Sequence, residues 1–216
     1  DSLAEELRDR DGVEVTVIPA DLSEPDAAEH LWNETSRMGL RVNVLVNNAG
    51  FGTGKDVVDD DPERLEQEVR LNCLAVVGLT ARYLPAMRER KGGTIINVSS
   101  AAAFQPMPHM AVYGATKAFV LSFTEALWRE TRRDSIRVLA VCPGSTDTPF
   151  FQVADGGTVG GRLRSTRQVL DTTMRALRGS GPSVVDGLGN AVVARFLTRV
   201  LPQRALLAAV DRVFRR

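Results

Sequence analysis

The sequence is poor in the residues that build metal, disulfide and histidine-based sites. Its 216 residues include only two cysteines and two histidines. Cys73 and Cys142 lack metal-ligand spacing, and His30 and His109 lie far apart. We therefore expect no metal site, two thiols that fill the core, and no histidine-based mechanism. The few cysteines, without a signal-like N-terminal segment before them, favour a reducing cytoplasmic location.

The sequence also lacks a net charge and a long apolar run. Acidic and basic residues number 27 each, so no overall field attracts nucleic acid, and we expect no nucleic-acid partner. No segment is long and uncharged enough to span a bilayer. Hydrophobic residues make up 44% and charged residues 25% of the chain, which suffices for one well-cored domain.

Lysine is scarce as well, which draws attention to Lys117. It follows Tyr113 by four residues in a segment, 110–133, with the pattern of a helix, so both side chains should share one face. An ammonium beside a phenol favours the phenolate, and we expect Lys117 to lower the pKa of Tyr113. Ser100 ends the apolar run 94–100, where it would hydrogen-bond a substrate carbonyl while Tyr113 exchanges a proton with it. Without the other motifs, the spacing of Tyr113 and Lys117 is equally consistent with an exposed lysine beside a half-buried tyrosine that has no catalytic role.

Apolar β-rich runs alternate with helical patterns along the chain, which predicts an α/β fold with a parallel sheet covered on both faces. The predicted strands are 13–20, 42–47, 94–98 and 136–142, and the predicted helices are 25–38, 62–90 and 110–133. Ligands of such folds lie beyond the carboxyl ends of the strands, where this chain carries its polar motifs. These motifs are Asp21, Asn47–Gly50, Ser99–Ser100 and the segment 143–148.

Taken together, six motifs between residues 21 and 148 resemble the short-chain dehydrogenase/reductase family. They are Asp21-Leu22, Asn47-Asn48-Ala49-Gly50, Leu71-Asn72, Ile96-Asn-Val-Ser-Ser100, Tyr113-x-x-x-Lys117 and Pro143-Gly144. The resemblance implies a Rossmann-like doubly wound parallel sheet, NADP or NAD as cofactor, and interconversion of a carbonyl and an alcohol. It favours NADP through a looser likeness to ketoacyl reductases and steroid-dehydrogenase-like proteins.

The resemblance also implies the catalytic roles. Tyr113 would be the general acid/base, and Lys117 would lower its pKa and hold the nicotinamide ribose hydroxyls. Ser100 would orient the substrate carbonyl, and Asn72 would fix a water in a proton relay. An ordinary helix position is the alternative for Asn72, although a polar amide in an apolar stretch needs a partner.

For the cofactor, the resemblance implies contacts with Tyr113 and Lys117 and with five further residues. Asp21 and Leu22 would contact the adenine, and Asn48 would lie at the strand end beneath the cofactor. Thr146 and Thr148 would contact the nicotinamide amide and the pyrophosphate. Asp21 is equally suited to a helix cap or an Asx turn, and the two threonine hydroxyls to bonding their local backbone.

The sequence departs from the family at its start. Members open with a strand and a glycine-rich turn that meets the pyrophosphate, whereas residues 1–8 predict a helix and Gly50–Gly54 has the wrong spacing. We expect an N-terminally incomplete sheet whose first two strands are absent, and a chain that is the C-terminal portion of a longer polypeptide; a remodelled protein is the alternative. As written, it should bind dinucleotides weakly or not at all. The strand edges left open would pair directly, take strands from another molecule, or stay partly unfolded.

The C-terminal part predicts the substrate side and the partners. We expect a domain of residues 1–183 and a helical extension, 184–216, packed on it. Phe150-Phe151 suggests an apolar wall, and the glycine-rich stretch 155–161 suggests a mobile substrate lid. Two helical segments separated by Pro202 carry arginines that would either snorkel at a membrane surface or pack on the domain or a second subunit. These arginines are Arg195, Arg199, Arg204, Arg212, Arg215 and Arg216.

The expected partners are a small, apolar carbonyl or alcohol substrate and a second copy of the chain, paired through the helices 62–90 and 110–133. Two other functions compete with an oxidoreductase. The first is a non-catalytic binding or regulatory protein of the same fold, which would not need Tyr113 with Lys117. The second is an epimerase or dehydratase of the related extended type, for which the length after Thr148 is too short.

Overall fold

The computed structural model describes residues 2–150 and 163–214, whose strands form one parallel sheet in the order β1-β2-β3-β4. The strands are β1 (Val44–Asn47), β2 (Gly93–Val98), β3 (Ile136–Cys142) and β4 (Ser183–Val185). In register, Asn47 lies opposite Asn97, and Asn97 lies opposite Ala140. All four carboxyl ends therefore meet at one edge of the sheet, and the predicted α/β parallel fold is confirmed.

Helices connect the strands, as the alternating pattern predicted. They are α1 (Ser2–Asp11), α2 (Ala27–Arg37), α3 (Pro62–Val69), α4 (Ala75–Glu89), α5 (Ala111–Glu130), α6 (Thr166–Leu177), α7 (Leu188–Val192), α8 (Thr198–Val200) and α9 (Gln203–Phe214). Short 3₁₀ turns cover Val57–Asp59 and Ala101–Phe104. Sequence analysis did not predict β4 or α6.

The core lies against β3, which is buried along most of its length. Val138 and Leu139 point to opposite faces of the strand and are both fully buried, because helices cover the sheet on both sides. Tyr83 and Met87 of α4 and Leu127 of α5 join Val138 in the main apolar cluster. The continuous apolar sequence of β3 therefore correctly predicted that both faces of this strand are buried.

The strand predicted over residues 13–20 is not formed. This run has no strand partner in the described residues, and its backbone is held at one point by Arg8, whose Nη2 donates to Val15 O at 2.6 Å. On β1, Val44 and Val46 are 55% and 53% exposed. An apolar run becomes a strand only when a neighbour supplies ladder hydrogen bonds, so this prediction from composition was wrong.

The helix predicted over 62–90 is present but contains a π-helical turn, Arg70–Leu74, between α3 and α4. α3 begins as predicted: Asp61 Oδ1 accepts from Glu63 N at 3.1 Å, and Pro62 takes the first turn. Asn72 and Cys73, inside the π turn, are buried. Single π turns interrupt helices mainly at functional sites.

The C-terminal helices break near Pro202, as predicted. In α9, Leu206 and Val210 are buried against Met107 and Met110, so this helix packs on the domain. The preceding segment, α7 to α8, leaves large apolar side chains exposed; they include Leu188, Val192, Phe196 and Val200. The division at residues 183 and 184 stays a prediction.

Several expectations fall outside the described residues. They concern Phe151, the glycine-rich stretch 155–161, Arg215 and Arg216. Within the ranges 2–150 and 163–214, no helix has the length and apolar character needed to cross a membrane.

Candidate active site

Ser100 and Tyr113 meet where β2 ends and α5 begins. The Ser100 hydroxyl accepts a hydrogen bond from Ala102 N at 3.1 Å and so caps the turn Ala101–Phe104. The same side chain lies close enough to the Tyr113 phenol to lower its pKa. Residues thirteen positions apart in the sequence therefore share one point beyond the carboxyl end of the sheet, as their motifs predicted.

The pKa of Tyr113 moves in the direction opposite to our expectation. Burial raises it to about 12, the polar Ser100 side chain opposes this rise in part, and the charge of Glu68 adds to it. The expected lowering by Lys117 was wrong for this arrangement because loss of solvation is the larger effect. Tyr113 is consequently a neutral phenol, and therefore a proton donor, at neutral pH.

Lys117 points into the same site from the next turn of α5. Its Nζ lies 5.8 Å from the centre of the Tyr113 ring and donates to Val98 O at 3.0 Å. Burial lowers the pKa of Lys117 to about 8, against the opposing effects of Cys73 and Glu68. The predicted pairing of tyrosine and lysine on one helix face is confirmed, with the ammonium anchored to the end of β2.

Asn72 occupies the π turn and has a partner for each side-chain atom. Its Nδ2 donates to Phe51 O at 2.8 Å and to Thr116 Oγ1 at 3.0 Å, and its Oδ1 accepts from Phe51 N at 3.2 Å. Thr116 Oγ1 in turn donates to Tyr113 O at 2.9 Å. Asn72 thus joins the loop after β1 to the first turns of α5, as a buried amide requires.

Two glycines in the loop after β1 allow this close approach. A Cβ on Gly50 would lie 2.8 Å from Asn72 Oδ1 and 3.3 Å from Lys117 Nζ. A Cβ on Gly52 would lie 2.8 Å from Tyr113 Cδ2 and 3.0 Å from Phe150 Cζ. Gly50 and Gly52 therefore make room for the side chains that gather at this end of the sheet.

Beneath the site, a buried chain of hydrogen bonds ties the strands together. Asn47 Nδ2 donates to Asn97 Oδ1 at 2.8 Å, and Asn97 Nδ2 donates to Thr124 Oγ1 of α5 at 2.9 Å. Asn48, the predicted cofactor residue, follows directly and is exposed. Sequence analysis missed the role of Asn97, although an amide inside the apolar run of β2 was a usable signal.

The predicted adenine contacts lie farther along the same edge. Asp21 Oδ1 accepts from Ser23 N at 2.9 Å and from Ser23 Oγ at 2.6 Å, which makes an Asx turn and lowers the pKa of Asp21. Leu22 packs against the main apolar cluster. An open groove joins this turn to the loop after β1; it is lined by Pro19, Ala20, Asp21, Leu22, Ala49 and Leu71.

Thr146 and Thr148 bond their own backbone. Thr146 Oγ1 donates to Gly144 O at 3.0 Å, and Thr148 Oγ1 donates to Thr146 O at 3.5 Å. Behind them, Arg164 makes two hydrogen bonds of 2.8 Å to the fully buried Asp186 at the end of β4. Both hydroxyls thus bond to their local backbone, which was the alternative to a cofactor contact, and the cofactor contact stays a prediction.

An apolar surface lies beside Tyr113. The Phe150 ring centre is 5.2 Å from that of Tyr113, in line with the predicted apolar wall. Both rings pack against a cluster to which α9 contributes Leu206 and Val210. The C-terminal helix therefore reaches the site, which its sequence did not predict.

Sequence analysis also missed Glu68, an acid with no solvent exposure. It lies one turn before Asn72 and accepts hydrogen bonds from Thr53 N at 3.1 Å and Thr53 Oγ1 at 2.8 Å. Burial raises the pKa of Glu68 to about 7. The only available signal was an acid on the same helix face as Asn72.

Comparison with known proteins gives one consistent family. A family model described as short chain dehydrogenase matches residues 1–156. The very-long-chain 3-oxoacyl-CoA reductase of Anas platyrhynchos is 36% identical over 161 residues, which are 71% of this chain and 50% of that protein. The protein of the same name from Bos taurus is 34% identical over 158 residues, with the same coverage of 71% and 50%. This chain spans about half the length of these curated relatives.

Solved structures agree over a larger share of the chain. A short-chain dehydrogenase from Sphingobium yanoikuyae in complex with NADPH has a TM-score of 0.83 and 29% identity, and the match covers 95% of this chain and 79% of that one. A 7β-hydroxysteroid dehydrogenase has a TM-score of 0.85 and 26% identity, covering 97% and 81%. A short-chain dehydrogenase from Burkholderia cenocepacia in complex with NADP has a TM-score of 0.76 and 28% identity, covering 91% and 80%.

Proposed function

The chain belongs to the short-chain dehydrogenase family, and on that premise we propose that it carries the proton-transfer site of an NADP- or NAD-dependent oxidoreductase that interconverts a carbonyl and an alcohol. The observation that carries the proposal is the meeting of Ser100, Tyr113 and Lys117 at one strand end, with Asn72 bonded to the same helix turn. Packing alone does not require a buried lysine beside a half-buried tyrosine, which argues against a non-catalytic binding protein.

The residues present fit a nicotinamide cofactor. Lys117 is an ammonium with three donors, one of which bonds Val98 O. An open groove runs from Asp21 and Leu22 to Ala49, next to Gly50, whose Cβ would lie 3.3 Å from Lys117 Nζ. In this proposal the groove receives the adenine, Asn48 and Lys117 hold the nicotinamide half, and Thr146 and Thr148 contact its amide and the pyrophosphate. When bound, the nicotinamide supplies or accepts the hydride.

The chain's own side chains supply the proton and the orientation. Tyr113, neutral because its pKa is about 12, donates its phenolic proton to the carbonyl oxygen as negative charge develops there. Ser100 hydrogen-bonds that oxygen and fixes its position. Lys117 then stabilises the phenolate that the transfer leaves behind, which is where its charge has most effect. Asn72 holds the Phe51 backbone and Thr116, and so keeps the first turn of α5 in place.

An apolar ketone is the proposed substrate class. Phe150 and the α9 side chains Leu206 and Val210 give the space next to Tyr113 an apolar side. Similar proteins include a very-long-chain 3-oxoacyl-CoA reductase and a 7β-hydroxysteroid dehydrogenase, and the long acyl chain and the steroid that these names specify support this class. NADP is the proposed cofactor because two of the similar structures hold NADPH or NADP.

The test uses the chain's only two tyrosines as a matched pair. Tyr113→Phe should lower ketone reduction with NADPH about 100-fold or more, the usual effect of losing a general acid, with cofactor affinity unchanged by nicotinamide fluorescence. Tyr83→Phe, whose hydroxyl meets Thr35 in the core, should leave turnover per folded molecule unchanged. Because the chain spans about half of its relatives, both variants are also made in a chain extended by a relative's N-terminal strands. Full activity in Tyr113→Phe would refute the assignment, and no turnover in either length would favour the non-catalytic alternative.

We also propose a homo-oligomer formed through the long helices. Val69, Leu74 and Phe119 are exposed on the π-turn helix and on α5, the helices that the sequence predicted to pair. Phe119→Asp should shift sedimentation towards the monomer, whereas Leu188→Asp, an exposed apolar position on α7, should not. Unchanged sedimentation in Phe119→Asp would place any subunit contact elsewhere.

A lipid surface is the proposed partner of the segment α7 to α8. Phe196 and Val200 are exposed there next to Arg195 and Arg199, the combination that binds anionic membranes. Co-sedimentation with phosphatidylserine vesicles should exceed that with phosphatidylcholine vesicles and fall in Phe196→Asp. Equal recovery with both vesicle types would rule out this contact. The cytoplasmic location stays a prediction.

A further inference from the structure

Glu68 is a buried carboxyl group that the proposed mechanism does not use. Thr53 bonds one oxygen, Oε2, through its backbone N–H and its hydroxyl. The other oxygen, Oε1, is buried and has no hydrogen-bond partner in the described residues. A carboxylate in such a place carries a large desolvation cost, whereas a protonated carboxyl carries much less. Two protonation states are therefore accessible to this side chain near neutral pH.

Glu68 lies between the loop and the helix that form the site. Thr53 follows Gly52, which packs against the Tyr113 ring, and Glu68 precedes Asn72 by one turn. Holding Thr53 thus holds the loop that faces the catalytic side chains. A glutamine of the same shape would do that equally well, because its amide oxygen would accept the same two hydrogen bonds. The carboxyl group adds only a charge that titrates.

Four ionisable groups face Glu68 closely enough to interact with it. From α5, Lys117 favours the Glu68 carboxylate, and that carboxylate raises the pKa of both Lys117 and Tyr113. From before α3, Asp60 disfavours the Glu68 carboxylate. From the π turn, Cys73, whose pKa burial raises to about 11, stays a neutral thiol. The ionised form of Glu68 thus favours an ammonium at position 117 and a neutral phenol at position 113.

We propose that Glu68 is a positioning residue whose loss or gain of one proton, exchanged with solvent, biases the charge of Lys117 and, separately, the protonation of Tyr113. Ionised Glu68 keeps the lysine charged and the tyrosine protonated, the pair of states that carbonyl reduction needs at its start. Protonated Glu68 removes that bias, so the site responds to pH close to neutrality. The proposal rests on the proposed function of Tyr113 and Lys117.

The test measures Lys117 directly and needs no turnover. The chain has three lysines, Lys55, Lys91 and Lys117, so ¹³Cε-lysine labelling gives three NMR signals, and Lys117→Met identifies the one of interest. In the unmodified chain, the Lys117 signal should show a second inflection near pH 7. In Glu68→Gln that inflection should vanish, and the pKa of Lys117 should fall by about one unit, the effect of losing a nearby opposite charge.

The control is Thr53→Val, which removes one hydrogen bond to the carboxyl group and keeps its charge. It should retain the inflection, shifted to higher pH. In the extended, active chain, the pH dependence of ketone reduction near pH 7 should likewise disappear in Glu68→Gln and persist in Thr53→Val.

An unchanged Lys117 titration in an active Glu68→Gln enzyme would overturn the proposal and leave the proposed function intact. A shifted titration in a chain without turnover at either length would support the role of Glu68 and count against the function. If Glu68→Gln does not fold, a single-step Lys117 titration in the unmodified chain still refutes the coupling.

Discussion

The stability of this protein should depend on pH through Glu68, in the opposite sense to most carboxyl groups. Burial raises its pKa from the ordinary 4.5 to about 7. The folded state therefore binds this proton more tightly than the unfolded state, and the free energy of unfolding falls as the pH rises from 4.5 to about 7. Each pKa unit corresponds to about 1.4 kcal/mol, so the full effect is about 3 kcal/mol, and it levels off above pH 7.

Glu68→Gln should remove this dependence, because glutamine has no titratable proton and keeps an oxygen for Thr53. The measurement is urea unfolding of both chains at half-unit steps from pH 4.5 to 8.5, with the difference in unfolding free energy plotted against pH. Other titrating groups cancel in that difference. The variant should gain about 3 kcal/mol relative to the unmodified chain across the range. A difference that stays flat to within about 0.5 kcal/mol would show that Glu68 has the same pKa in the folded chain as in the unfolded chain.

Two further substitutions test packing and charge burial elsewhere. In Gly52→Ala the new Cβ would lie 2.8 Å from Tyr113, so the free energy of unfolding should fall by about 1–3 kcal/mol and ketone reduction should fall at least about 10-fold. Gly181→Ala has open space around its Cβ, so neither quantity should change when both variants are compared by urea unfolding and by activity. Asp186→Asn should lower the urea midpoint by an amount equal to about 3 kcal/mol at pH 7, because it removes the buried carboxylate that accepts two hydrogen bonds from the Arg164 guanidinium. Glu6→Gln, which breaks an exposed ion pair, should cost less than about 1 kcal/mol, and equal losses in the two variants would refute the argument from burial.

Short-range chemistry made most of the site predictable. Tyr113 and Lys117 are one helical turn apart, so their shared face follows from spacing alone, and Ser100 follows from the end of an apolar strand. β2 and β3 were predictable because strands buried on both faces have continuous apolar sequences. The direction in which the Tyr113 pKa shifts was not predictable, because it depends on how completely the folded chain excludes water from the phenol.

The remaining differences come from long-range contacts. Residues 13–20 have the composition of a strand, but composition does not supply the neighbouring strand that a ladder requires. Glu68 resembles any other acid on an amphipathic helix until Thr53 and α5 enclose it. The short strand β4 has only three residues, and its pairing with β3 defines it more than its sequence does.

The π turn at Arg70–Leu74 has a consequence for insertions and deletions. A regular helix rotates about 100° per residue, and a π turn accommodates one residue more than a regular turn does. The face that α3 presents and the face that α4 presents are thus offset by one residue step. Deleting one residue of the turn would therefore restore a uniform helix and leave Tyr83 and Met87 facing the core, whereas deleting one residue within α4 before Tyr83 would rotate both by about 100°. Where aligned sequences differ by one residue in length between Asp61 and Tyr83, the difference should therefore lie in this turn and not within α3 or α4.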